Sequence, residues 1–116
     1  MTARSQAKVQ ALLWIGQRAS AAVLALCVVV HLCTIIYAVR GGLTAAEILE
    51  RTRGNFGWLV FYTMFALAVA VHAPIGLRAV LSEWFAWRTP SRDWVLAAFA
   101  VLLAVMGLRA VFAVFA

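Results

Sequence analysis

Two imidazoles, His31 and His72, and one guanidinium, Arg109, fall inside long apolar stretches of this 116-residue sequence. Arg18 and Arg78 stand at the edges of such stretches, and all four carboxylates (Glu47, Glu50, Glu83 and Asp93) lie between them. A charge in the middle of a bilayer is costly, so each ionisable group there needs a partner or a task. A proton- or cation-coupled transporter would place an Asp or Glu at mid-membrane. This sequence has none, which disfavours that class.

His72 has small neighbours one helical turn away on its own face, Ala68 and Gly76. Such a flank leaves space for a flat macrocycle, and imidazole is a standard axial ligand of haem iron. Pro74 adds a kink and frees the carbonyl of Ala70. A neutral histidine bonded to a neighbouring helix satisfies the same pattern, so the residues alone leave both readings open. Depth separates the two imidazoles. With Arg18 as the inner edge, His31 lies about 20 Å in, whereas His72 lies about 9 Å from Arg78. Two ligands of one iron must sit at nearly equal depth, about 2 Å from the metal. One chain therefore cannot clamp a single haem between His31 and His72, and each needs a partner from another polypeptide or a different task. Arg109 lies about 24 Å beyond Asp93. It either snorkels to the outer interface or pairs with carboxylates of a cofactor near the depth of His31.

The elements that must position these groups follow from composition. Hydrophobic residues make up 66% of the chain and charged residues 12%, with a mean hydropathy of +0.99. A soluble domain carries about 45–50% apolar and about 25% charged residues. These proportions exclude a soluble globular domain, a disordered chain, a disulfide-stapled scaffold and a self-sufficient soluble enzyme. The expected fold is all-α: an integral membrane protein with three transmembrane helices forming part of a bundle. The whole chain, 1–116, reads as one membrane-anchor domain with an interfacial segment at 1–18 and spans at 19–39, 57–77 and 94–116. Spans of this kind must satisfy their own backbone amides, hence helices. The run from Ala19 to Val39 exceeds the apolar core of about 7–15 residues of a cleaved signal peptide, so it is expected to remain as a span. Thr44 to Glu47 reads as a capping box opening a short surface helix, with Gly54 as its stop. Thr89-Pro90-Ser91 reads as the start of the last helix. Cys27 and Cys33, six apart on one helix, point in different directions and are expected to be buried free thiols.

Taken together, these segments resemble the cytochrome b membrane-anchor subunit of the succinate dehydrogenase and fumarate reductase family. That family's second helix carries His-x-x-x-Gly-[Ile/Leu]-Arg-His-Leu-x-x-Asp, and this chain has His72-Ala-Pro-Ile-Gly76-Leu-Arg78-Ala79-Val-Leu-Ser-Glu83. The first His, the Gly, the Arg and the closing acid keep their spacing. The family's first helix opens with Arg-x-Ser-Gly, matched by Arg18-Ala19-Ser20-Ala21, and some members continue to a His-Leu pair, as His31-Leu32 does. The resemblance covers nearly the whole chain. Three positions depart from the pattern: Ala79 replaces the second His, Gln17 stands where His is common, and Trp14 stands where some relatives place a Ser.

The resemblance implies roles. His72 matches the axial ligand of haem b, and His31 matches the extra His of members with a second, outer haem. Arg18, Ser20 and Arg78 match positions near the quinone or the haem propionates; Arg109 is not part of the motif, and its depth alone makes it a candidate propionate partner beside the snorkelling reading. It also implies one haem b, or two shared with a partner chain, and ubiquinone or menaquinone as substrate. The implied partners are a flavoprotein subunit, an iron–sulfur subunit, and a second hydrophobic anchor subunit or a second copy of this chain. The function that follows is a succinate:quinone oxidoreductase anchor that is not catalytic alone. The alternative is a haem-free structural anchor of another flavoprotein dehydrogenase, and no nucleic-acid partner is expected.

The cations orient the chain. Arg4, Lys8, Arg18, Arg78, Arg88 and Arg92 fall on one side, and Arg40, Arg51, Arg53 and Arg109 on the other. The excess favours an N-terminus on the cytoplasmic side of the inner (cytoplasmic) membrane and a C-terminus outside. Alkaline phosphatase, which is active only outside the cytoplasm, should therefore be active when fused after Ala116 and silent when fused after Arg88. The reverse pattern would invert the topology.

Overall fold

A computed structural model describes residues 2–116. The expected interfacial segment begins at Met1, which lies outside the described residues. Among those described, the chain forms four helices and no strand: α1 (Ala3–Arg40), α2 (Ala45–Thr52), α3 (Phe56–Trp84) and α4 (Pro90–Phe115). Three of them, α1, α3 and α4, are long and apolar enough to cross a membrane. This is the all-helical, multi-pass architecture that the composition demands.

The interfacial segment and the first span form a single helix rather than two elements. Thr2 caps it by accepting a hydrogen bond from the Ser5 amide at 3.2 Å, and nothing between Ala3 and Arg40 breaks it. At 1.5 Å per residue, α1 is about 57 Å long, well over the roughly 30 Å of a hydrocarbon core. Its first turns therefore extend past the apolar layer. Gly42, at φ +64°, then reverses the chain at a conformation glycine adopts without strain, and the Leu43 amide closes onto the Ala38 carbonyl at 3.0 Å.

The Thr44 capping box forms as its spacing predicts. The Thr44 backbone N–H and hydroxyl donate to the Glu47 carboxylate at 2.6 and 2.9 Å. These two bonds, helped by the Arg51 charge, hold the Glu47 carboxyl below its ordinary pKa. α2 also ties down the far end of the chain. The Thr52 hydroxyl donates to the Val114 carbonyl at 2.8 Å, and the Gly54 amide donates to Phe115 at 2.9 Å. Two carbonyls from the last turn of α4, which lack partners within their own helix, are thereby satisfied. α4 starts at Pro90 as expected, but the Thr89 hydroxyl does not cap it. That hydroxyl instead accepts from Trp87 Nε1 at 2.9 Å and bonds Ser91 at 2.6 Å.

α3 is the central helix. It packs against α1 on one side and α4 on the other, while α1 and α4 scarcely touch. Both pairings are antiparallel. Small residues set the spacing: a Cβ on Gly76 would stand 3.3 Å from Gln17 Nε2, one on Gly16 3.3 Å from Ile75, and one on Gly107 2.9 Å from the Ala66 Cβ. Few side chains are buried, and the aliphatic and aromatic residues of all three spans point outward. In water that surface would aggregate; in a bilayer it meets lipid tails or other apolar helices. Cys27 is buried as expected, but Cys33 is exposed, lining an open cavity beside α2 and the start of α3.

Gly107 is the tightest contact between α3 and α4. Gly107→Leu must push the helices apart and should destabilise the protein by about 1–3 kcal/mol, the usual cost of overpacking. Thermal unfolding in detergent, with Gly107→Ala as the milder comparison, measures this.

Candidate functional site

The antiparallel register of α1 and α3 pairs each histidine with a hydroxyl on the opposite helix. His72 on α3 meets Ser20 on α1, with Nδ1 3.4 Å from the Ser20 Oγ. His31 on α1 meets Tyr62 on α3, with Nδ1 3.3 Å from the phenol oxygen. The two pairs are separated by ten or eleven residues along each helix, about 15 Å. The sequence estimate of roughly 10 Å was smaller because it set Arg18 and Arg78 at one depth. With Gln17 opposite Gly76, Arg78 actually lies nearly a turn further inward than Arg18.

The Ser20 hydroxyl has two partners. Ser20 is 6% exposed, and besides His72 its hydroxyl reaches the Gln17 carbonyl at 3.2 Å. When Ser20 donates to that carbonyl it accepts from His72, which in that arrangement carries its proton on Nδ1. The Nε2 lone pair is left without a protein partner among the described residues. That is the state of an imidazole that binds a metal through one nitrogen while the other is fixed by a hydrogen bond. Beside this pair lies an orphan: Gln17 Oε1 is buried and accepts nothing. A buried acceptor without a donor is costly unless a bound group completes it. Of the small residues beside His72, Gly76 meets the Gln17 side chain of α1 and Ala68 is buried.

Arg78 belongs to an ionic cluster where the C-terminal end of α3 meets the start of α4. Its Nε lies 3.5 Å from Asp93. Asp93 also holds Arg92 at 2.8 Å, and Arg92 donates to the Ser82 hydroxyl at 2.6 Å and the Trp87 carbonyl at 3.4 Å. Arg92 is 5% exposed, whereas its place at the end of an apolar run suggests a headgroup anchor. The acid in contact with Arg78 is Asp93, not the motif residue Glu83. Arg18 is exposed and stacks over Trp14 at 5.3 Å, turned away from Ser20.

A cavity of about 770 Å³ opens at the end of the helix pair away from Arg18, between the C-terminal half of α1, α2 and the start of α3. Its apolar walls contain His31, Tyr62, Trp58 and Tyr37, with Arg51 and Asn55 among the polar groups. His31 is held edge-on by Tyr62 and Phe65, each ring centroid 5.7 Å away. Arg109 shares the depth of His31, but it sits on α4, beyond α3, and does not line this cavity. The structure thus brings Ser20 to His72, sets Arg78 one step inward, and leaves Arg18 and Arg109 apart. Tyr62, Arg51 and Arg92 emerge as site residues only in three dimensions, and Gln17, which the sequence marks only as a departure from the family pattern, joins them through its contact with Gly76.

The fold and the site define a class: a three-span helical membrane subunit with two histidines set at different depths between its first two spans. The family model for the succinate dehydrogenase/fumarate reductase transmembrane subunit matches residues 2–113, and the chain belongs to that family. No curated protein and no solved structure matches it closely enough for comparison.

Proposed function

We propose that this chain is the haem b-bearing membrane anchor of a succinate:quinone oxidoreductase. It docks the flavoprotein and iron–sulfur subunits at the inner face of the cytoplasmic membrane and passes their electrons to ubiquinone or menaquinone. The observation that carries this reading is the part-buried Ser20–His72 pair, in which Ser20 engages Nδ1 and Nε2 has no protein partner among the described residues, inside a pair of helices long and apolar enough to span a membrane.

In this reading His72 would hold the inner haem b, which when bound would supply a one-electron relay within the bilayer. Ser20 would orient the ring through Nδ1 and, where it accepts from Nδ1–H, would make the imidazole more basic. Because His31 sits about 15 Å further out, the second ligand of that iron comes from another polypeptide. This is a second hydrophobic subunit or a second copy of the chain. His31 would hold an outer haem, its ring positioned by the contact of Nδ1 with the Tyr62 hydroxyl. At the inner face, Arg18 and Arg78 offer positive charge and directed hydrogen bonds to quinone oxygens or haem propionates. Gln17 Oε1 offers the acceptor that a quinol hydroxyl would fill. Dicarboxylate chemistry belongs to the soluble subunits.

One observation favours the alternative, a haem-free anchor of another flavoprotein dehydrogenase. Each imidazole already has a hydrogen-bond partner across the helix pair, which is all a structural histidine requires. The visible spectrum of the purified, dithionite-reduced complex separates the two readings. A haem b band that disappears in His72→Ala, with the protein still inserted, supports the ligand; a wild-type complex without any haem band leaves only the structural anchor.

Ser20 gives a finer expectation. Ser20→Ala should keep the haem but weaken its retention by about tenfold, the lower end of the usual loss when such a supporting bond is removed. It should also raise the haem midpoint potential, since a less basic ligand favours ferrous iron, and Ser20→Thr should restore both. Haem release to apomyoglobin and a potentiometric titration measure the two effects.

A further inference from the structure

We infer that Arg51, carried on α2, is the carboxylate clamp of the outer site and pairs with the propionates of a haem seated against His31. This rests on the outer-haem reading above and names the group that orients that haem. The cavity volume, about 770 Å³, is within the range of about 300–1,000 Å³ typical of cofactor sites. Its walls are almost wholly apolar, so an occupant must be large and greasy, with any charge confined to one end. The imidazole in the wall selects for a metal. Tyr62 engages Nδ1 of His31 at 3.3 Å, leaving Nε2 without a protein partner among the described residues.

The charged end of the occupant is set by Arg51. Its guanidinium donates to the Tyr37 phenol oxygen at 3.4 Å and lies 5.3 Å from the ring centroid, and it feels the Glu47 charge without forming a salt bridge to it. Glu47, one turn earlier on α2, is folded back onto Thr44, and both salt bridges among the described residues run to Asp93. Arg51 therefore lines an apolar cavity with no carboxylate in contact, which favours an anionic ligand. Distance agrees. Tyr37, on which Arg51 rests, is about 9 Å along α1 from His31 toward the outer surface, comparable to the reach of porphyrin carboxylate arms from the iron. Asn55 donates to the Arg51 carbonyl at 3.3 Å and so ties the start of α3 to this turn of α2. Arg109, the cation the sequence suggests for this role, lies behind α3.

A cation beside the propionates disfavours the extra positive charge of ferric iron, so Arg51 raises the outer midpoint. The test is potentiometric titration of the reduced haem bands in the intact complex, purified with its partner subunits. Two components are expected, one of which His31→Ala removes. Arg51→Leu should lower the midpoint of that component by about 60 mV, a tenfold change in a one-electron equilibrium. The other component should stay in place as proof of folding, and Arg51→Lys should recover most of the shift. If His31→Ala removes one component but Arg51→Leu moves neither midpoint, the clamp is wrong and the outer haem stands. A shift in Arg109→Leu instead also overturns the clamp. If His31→Ala removes nothing, the outer-haem reading itself falls.

Discussion

The close approach of α1 to α3 is the constraint on which the rest depends. Two glycines on opposite helices, Gly16 and Gly76, each admit a side chain from the other helix, Ile75 and Gln17. Without a hydrophobic driving force between helices in lipid, such small-residue contacts and the hydrogen bonds they permit set the packing. Once the register is set near the inner end, antiparallel geometry carries it along the bilayer. It then places Ser20 opposite His72 and Tyr62 opposite His31. A helix slip of a single turn would break both pairs together.

The second pairing, α3 with α4, is held at its two ends by polar groups and in the middle by Gly107 against Ala66. At the inner end Asp93 joins Arg78 and Arg92, and at the outer end α2 caps the carbonyls of α4. A buried arginine is tolerated only when its donors are satisfied, and removing one partner of such a pair typically costs about 3–5 kcal/mol. Arg92 meets this demand through Asp93, Ser82 and Trp87, so the cluster is a rigid floor beneath His72. Arg78 inherits a defined position from it. The exposed apolar surface on the outer side of α1 and α4 is then available to lipid and to other hydrophobic helices.

Much of this was legible in the chain. Three apolar runs bounded by arginines set the number of spans, and Thr44 with Glu47 announced the short helix between the first two. His72, Gly76 and Arg78 stood out by type and spacing, and the depth difference between the histidines followed from helix rise. Other features were not legible. The small residues beside His72 looked like room for a macrocycle, yet Gly76 receives Gln17. Arg92 looked like a surface anchor and is buried. Arg109 shares the depth of His31 but sits on α4 and does not line the cavity that holds His31. In each case the sequence specifies height along a helix, whereas rotation about the bundle is decided by packing.

That division has a physical basis. Hydrophobic length, charge placement and caps act within a single helix, so the sequence by itself determined the membrane class, the spans, the turn at Thr44 and the separation in depth of His31 and His72. Which residues meet across helices depends on the register and azimuth of packing, and those are set by a few contacts between distant segments. Only the tertiary structure could pair Ser20 with His72, give Asp93 to Arg78 and Arg92, and bring Arg51 to the cavity wall that holds His31.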